Sequence, residues 1–386
     1  MSSERNILTR RSLMATALAA AAGTALEAAQ APEVAAGTAQ SKAPTGVAGK
    51  TPRTLVCFYL IGGSDGNSLV APLEPTQYAA YSRARGELGL RSSALLPIRD
   101  RSTGASYGLD PRLPELQTYF DAGSAALVAN VGTPERPSEA QRYGSIAFLS
   151  DGYMTTDWAA KKVSLLPNSN LAFTFDRGVS LMPLSKTEFQ GERRKNPALM
   201  EKVASATFRT AFPDTIAGRQ ARVVAGVLRA GNVSGASGGQ VIVCPLGGFG
   251  PSSVQMMEQA PLLRQLSAGM AALYEATVEM GISDQITIYT DSEYGRSLRP
   301  NGNHTAAPGW GNHQFVLGGA VRGGQVYGKY PDMLKGPFEA DGALIPTTAE
   351  SQYQATLAGW LGLAPVELQS LLPDLDGKPR LGFLPA

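Results

Sequence analysis

Short apolar runs, each closed by a glycine-rich or polar turn, recur along this chain and set its architecture. Residues 54–61 are almost continuously apolar, the pattern of a strand covered on both faces, and end in Gly62-Gly63-Ser64-Asp65-Gly66. A second run, 125–131, ends at Asn130-Val131-Gly132, and a third, 240–246, enters Gly247-Gly248-Phe249-Gly250. In the fourth, Ile286, Ile288 and Thr290 alternate with Thr287 and Tyr289 and deliver Ser292, Glu293 and Tyr294 to a turn. Both histidines of the chain, His304 and His313, come after it, before a last run at 315–317 enters Gly318-Gly319.

Helical spacing fills the intervals. Leu113, Leu116 and Phe120 predict a helix over 111–120. Residues 215–230 are amphipathic and closed by Gly231-Asn232, and 261–280 carry Leu262, Leu266, Met270 and Leu273 on one face. Thr347-Thr348-Ala349-Glu350 is a capping box opening a helix over 351–363, and 365–371 form a last short one. Residues 140–162 read as mostly helical, 173–195 as irregular with a solvated Glu192-Arg193-Arg194-Lys195 cluster, and 233–239 as a loop. Strands alternating with helices predict an α/β fold with a largely parallel central sheet flanked by helices. No repeat or linker divides residues 51–386, which are expected to form a single domain; 386 residues, 43% of them hydrophobic, can bury a large core.

The N-terminus carries an address. Thr9-Arg10-Arg11-Ser12-Leu13-Met14 precedes a weakly apolar, alanine-rich run, the order of a twin-arginine export signal and also of an ordinary secretory n-region. Residues 1–31 are read as the signal, with a small-x-small site at Ala29-Gln30-Ala31, and 32–50 as a disordered leader. The apolar run falls short of the ~20 residues that span a bilayer, so no stable membrane span is expected. This places the chain in the periplasm or outside the cell, with the twin-arginine translocase as its export partner. A net charge of +2, without a basic run interleaved with aromatics, argues against nucleic acid. Cys57 and Cys244 each lie inside an apolar run and read as buried thiols; a disulfide between them is the alternative.

Two constellations carry candidate chemistry. Gly62-Gly63-Ser64-Asp65-Gly66 fits G-x-S-x-G after a strand, which would make Ser64 a nucleophile and His313 its base, but Pro72 and Pro75 oppose the helix that such an elbow requires. The second is oxygen-rich: Asp65, Asp291, Glu293 and the two histidines at strand ends could hold a divalent metal that polarises a phosphate or sulfate ester. The plainer alternative makes Glu293 a structural ion pair with Arg296 or Arg299 and His313 a packed core residue. Gly318-Gly319-Ala320-Val321-Arg322-Gly323-Gly324 reads either as an anion nest or as a hairpin-like bend.

With these residues in view, the chain resembles an exported bacterial family, domain-of-unknown-function family 1501, grouped with the alkaline phosphatases and sulfatases. The resemblance rests on LIGGSDGNSLVAPL at 60–73, ANVGTPERPS at 129–138, FLSDGYMTTDW at 148–158, GGFG at 247–250, TDSEYGRS at 290–297, GWGNHQFVLGGAVRGGQVYG at 309–328 and YQATLAGWLGLAPVELQSLLPDL at 353–375. It implies an alkaline-phosphatase-like fold in which imidazoles and carboxylates hold metal ions that activate a nucleophile. The chain departs from the family where those imidazoles would stand. Gly250, Pro251 and Ser252 replace Asp-Thr-His, Asp110 and Asp151 stand where histidines do, and 304–308 lack the family's Thr-Asp-His.

Two function classes emerge. In one, the chain is a degenerate, non-catalytic member binding a glycan, a surface polymer or a partner protein. In the other, it is a metal-assisted hydrolase of phosphate or sulfate esters, with Asp65, Glu293 and His313 at the pocket and Arg296 on the anion. A serine hydrolase using Ser64 is the third.

Overall fold

The computed structural model describes residues 53–133, 197–230, 240–336, 338–339 and 342–385. The expected signal and leader, the segments read at 140–162 and 173–195, and the loop at 233–239 lie outside these residues.

In chain order the elements are β1 (Thr54–Leu60), β2 (Val70–Pro72), α1 (Pro75–Arg85), β3 (Leu96–Arg99), β4 (Ser106–Leu109), α2 (Pro114–Ala122), β5 (Ala125–Gly132), α3 (Pro197–Ser205) and α4 (Ile216–Arg229). Next come β6 (Gln240–Leu246), α5 (Gln255–Glu279), β7 (Ile286–Ser292), β8 (Arg296–Pro300), β9 (Ala306–Pro308), β10 (Asn312–Gly318), β11 (Val326–Gly328), β12 (Thr348–Ala349), α6 (Glu350–Leu361) and α7 (Pro365–Leu371). The central sheet runs β11-β5-β10-β7-β1-β6, with β12 also paired to β5. Every pairing in it is parallel except those of β10, which runs antiparallel to both β5 and β7. The expected mixed α/β architecture with a mostly parallel sheet is what the chain adopts. Smaller sheets, β2-β4-β3 and β8-β9, stand beside it.

Alternation along β1 shows how the sheet is covered. Val56, Phe58 and Leu60 join a core with Leu116 and Phe120 of α2, Val224 of α4 and Leu266 and Met270 of α5. Leu55 and Cys57 face the other way, into a core with Tyr353, Leu357 and Trp360 of α6. Helices therefore bury both faces, and the near-continuous apolar run of β1 results from that. The same alternation settles the cysteines. In the β1–β6 ladder Cys57 stands opposite Val243 and Cys244 opposite Phe58. The two buried thiols point into different cores and neither is in a disulfide, which excludes the disulfide alternative.

As expected, no helix follows the first strand turn directly: a single 3₁₀ turn and β2 come first, and Pro75 then opens α1 at a position needing no N–H, capped by the Glu74 carboxylate. Two expectations are corrected. The helix expected from Pro261 begins at Gln255, with Pro261 inside it. Pro261 and Met257 are both exposed, so the carbonyl that loses its partner faces water. Finally, 318–324 make no hairpin, because β10 and β11 lie on opposite sides of β5.

Candidate functional site

The sheet brings the suspected residues to one edge. Strands β1, β6 and β7 are parallel and end together, β5 ends there too, and antiparallel β10 begins there. The turns after β1, β6 and β7 and the start of β10 therefore meet, as ligand-bearing loops do in open α/β sheets. Gly62 and Gly63 make this contact feasible. Both have positive φ (98° and 80°), and a Cβ on Gly63 would lie 2.0 Å from the Tyr294 ring.

Asp65, Glu293, Arg296 and His313 are all buried, none more than 3% exposed. Asp65 is paired with the Arg85 guanidinium. Its Oδ2 accepts from Arg85 (2.7 Å), the Ser68 hydroxyl (2.9 Å) and Gln255 Nε2 (2.5 Å), and its Oδ1 accepts from the Asn67 N–H (3.0 Å). Burial would raise its pKa, but the charge and hydrogen bonds of Arg85 outweigh that and hold the carboxyl below its usual range. Arg85 itself is fully buried at the end of α1 and donates further to the carbonyls of Ser297 and Leu298.

Arg296 and Glu293 clamp the first turn from the β7 side. Arg296 donates to the carbonyls of Gly63 (2.8 Å), Gly62 (2.8 Å), Phe249 (3.2 Å) and Ala306 (2.7 Å). Glu293 Oε2 accepts the Gly62 N–H at 2.8 Å. Arg296 thus binds main-chain oxygens rather than an open anion site. Arg299, the other suggested partner, is exposed.

The two histidines part. His304 is exposed, with its Nδ1 2.6 Å from Glu87 Oε2. His313 is fully buried, stacks on Tyr330 with centroids 5.0 Å apart, and accepts the Asn130 N–H at Nδ1 (2.9 Å). An imidazole that accepts at Nδ1 carries its proton on Nε2, and burial pushes its pKa down to about 4. Among the described residues its Nε2 has no hydrogen-bond partner. This tautomer also weighs against Ser64 as a nucleophile. A catalytic base would present a bare Nε2 and donate from Nδ1, whereas His313 has the reverse arrangement. Ser64 is buried, and the chain continues from it into a single 3₁₀ turn (Gly66–Ser68) and then β2, not into a helix.

The oxygen-rich set does not fit a divalent metal. Asp65, Glu293, Arg85 and Arg296 form a buried cluster whose formal charges already cancel, so an added dication would leave it uncompensated. Four donors already occupy the Asp65 carboxylate, and His313 offers no lone pair at Nε2. Among the described residues, no group of three or more His, Cys, Asp or Glu side chains could hold a metal. Asp291, half-buried, accepts the N–H of its neighbour Ser292. The glycine-rich stretch at 318–324 makes no anion nest, because the N–H groups of Gly318, Gly319, Val321, Arg322, Gly323 and Gly324 all donate to backbone carbonyls.

Sequence reasoning missed Arg85, Gln255 and Asn130. For Arg85 the available signal was Tyr81 one turn earlier, which shares its buried face. Gln255 lies ahead of Pro261, where the helix was expected to begin, and in fact opens it. Asn130 ends an apolar run and takes a left-handed conformation (φ 50°) that asparagine tolerates better than most.

Among the described residues, no helix is long and apolar enough to cross a membrane. No curated protein matches the chain. Among solved structures, "Ps i-CgsB" is similar at 10% identity and a TM-score of 0.38, over 86% of this chain and 77% of that one. The C-terminal periplasmic domain of EcEptC from Escherichia coli, in complex with Zn, is similar at 12% identity and a TM-score of 0.33, over 82% and 84%. Residues 238–341, from the start of β6 past the end of β11, match the model of a family described as "Protein of unknown function (DUF1501)".

Proposed function

We propose that this chain is an exported protein of alkaline-phosphatase-like fold that has kept the scaffold without the metal chemistry and acts by binding a glycan, a surface polymer or a partner protein. The observation that carries the reading is the state of Asp65. Its carboxylate is the natural first ligand at the end of β1, yet Arg85 neutralises it and Ser68, Gln255 and Asn67 complete its hydrogen bonds. The missing family imidazoles at 110, 151 and 252 point the same way. The twin-arginine-like residues 9–14 support export to the periplasm or beyond.

Metal-assisted ester hydrolysis is the competing reading, and the unpartnered Nε2 of His313 is the one observation that could favour it. That nitrogen, however, can bind a metal only if the proton moves to Nδ1, which would cost the bond from Asn130. Elemental analysis of the exported, mature protein, purified without chelator, separates the two. We expect no stoichiometric zinc, calcium or manganese, and no release of phosphate or sulfate from aryl esters when these metals are added. A stoichiometric metal that is lost in Glu293→Ala, together with ester cleavage, would sink the binding reading.

A further inference from the structure

The tip of the β8–β9 hairpin lies outside the buried cluster. Asn301-Gly302 is the chain's one Asn-Gly step, and both residues are exposed. The Asn301 Oδ1 accepts from the Asn303 N–H (2.9 Å), the Thr305 N–H (3.2 Å) and the Thr305 hydroxyl (3.0 Å). The Asn301 N–H is itself fixed to the Thr305 carbonyl at 2.6 Å. Among the described residues, the Gly302 N–H has no partner, and a Cβ at Gly302 would meet nothing within 4 Å.

We infer that Asn301-Gly302 is a site of spontaneous deamidation, primed by the fold. The three donors on Oδ1 polarise the side-chain carbonyl and stand where negative charge develops when its carbon is attacked, the same logic as an oxyanion hole. The attacking atom is the Gly302 nitrogen, which has no hydrogen bond to give up and no side chain to hinder its approach. Its proton leaves to solvent base. A bond forms from that nitrogen to the Asn301 side-chain carbon, the bond from that carbon to Nδ2 breaks, and Nδ2 departs as ammonia. Water then opens the succinimide at either carbonyl, giving aspartate or isoaspartate; the net change is one water consumed and one ammonia released.

The product places a new carboxylate on the hairpin tip that also carries His304, whose Nδ1 lies 2.6 Å from Glu87 Oε2 in the turn after α1. This tip is tied to the core, because the His304 carbonyl accepts the Gln255 N–H at 3.1 Å and Gln255 Oε1 accepts the Ala306 N–H at 2.8 Å. An isoaspartate lengthens the backbone within that tie.

The test is peptide mapping by mass spectrometry after incubating the intact chain, folded and in urea, at mildly alkaline pH. Aspartate and isoaspartate should accumulate at Asn301 in the folded chain at least as fast as in the unfolded one. Gly302→Ala should slow conversion about ten-fold or more, while Asn303, in the same peptide, stays intact. Thr305→Val, which removes the hydroxyl donor, should slow the folded chain and leave the unfolded rate unchanged. An Asn301 that converts in urea but is protected in the folded chain would overturn the inference and mean that the three donors pin the side chain instead of activating it.

Discussion

His313 combines full burial with a backbone donor at Nδ1, so protonation has two costs. It places a charge in the core, and it turns Nδ1 into a donor facing the Asn130 N–H. Its pKa falls from 6.5 in the unfolded chain to about 4 in the folded one. Between those values the unfolded chain binds the extra proton, so stability falls as pH drops from 6.5 towards 4 and this contribution then levels off. The loss amounts to about 3 kcal/mol. Urea unfolding at stepped pH should show this slope, and His313→Gln, which keeps an acceptor for Asn130 and cannot be protonated, should flatten it. A slope unchanged in that variant would assign the acid sensitivity to other groups. Asp65 contributes in a different window. Its lowered pKa makes its ion pair with Arg85 stabilising above its unfolded value of 3.8, and that is lost only as pH falls further.

At the scale of elements, the histidine is aimed by an irregularity in a strand. Between Asn312↔Val131 and Gln314↔Val128 the ladder skips, so β5 carries one residue more than β10. The extra residue brings Asn130 into a left-handed conformation and turns its N–H onto His313, the re-aiming that bulges perform beside functional sites. The Asn130 side chain holds the bulge through Nδ2 to the Ile345 carbonyl (2.7 Å) and Thr347 Oγ1 (3.2 Å). Asn130→Ala should cost about 1–3 kcal/mol, from both the left-handed strain and the lost bonds. Asn130→Gly keeps the conformation and should recover about 1 kcal/mol of it. Equal urea midpoints for the two variants would mean that the left-handed conformation carries no cost. Apolar runs made β1, β5, β6 and β7 legible from sequence because burial on both faces leaves no other composition. The direction of β10 was not legible, since an apolar run carries no sign of which neighbour it pairs with or which way it points. The capping of α6 was read two residues off. Gln352 accepts the Ala349 N–H, while Thr347, the expected cap, donates its hydroxyl to the Lys329 carbonyl.

At the scale of the whole molecule, the location of the candidate site was legible and its chemistry was not. Asp65, Glu293, Arg296 and His313 share one sheet edge because strand ends collect there, and strand ends can be read from sequence. Their occupation by Arg85, Gln255 and Asn130 depends on side chains distant in sequence, which local patterns do not specify. The same long-range dependence governs how the chain can be divided. The stretch matching the family model, 238–341, contains β6, β7, β10 and β11 but neither strand that joins them. Strand β1 lies between β6 and β7, and β5 lies between β10 and β11. Without β1, the ladders from Thr54–Leu60 to both neighbours are lost, and with them Asp65 and the glycine turn that Glu293 and Arg296 clamp. A fragment of residues 238–341 should therefore not fold alone, and its amides should exchange hydrogen at near-unfolded rates. The full chain from residue 51, with β1 bonded to both neighbours, should lose β6 and β7 protection together in a single cooperative transition. If the fragment instead gave a cooperative urea transition and protected amides in β6 and β7, those strands would have to pair directly, and β1 would be an accessory to the sheet rather than its centre.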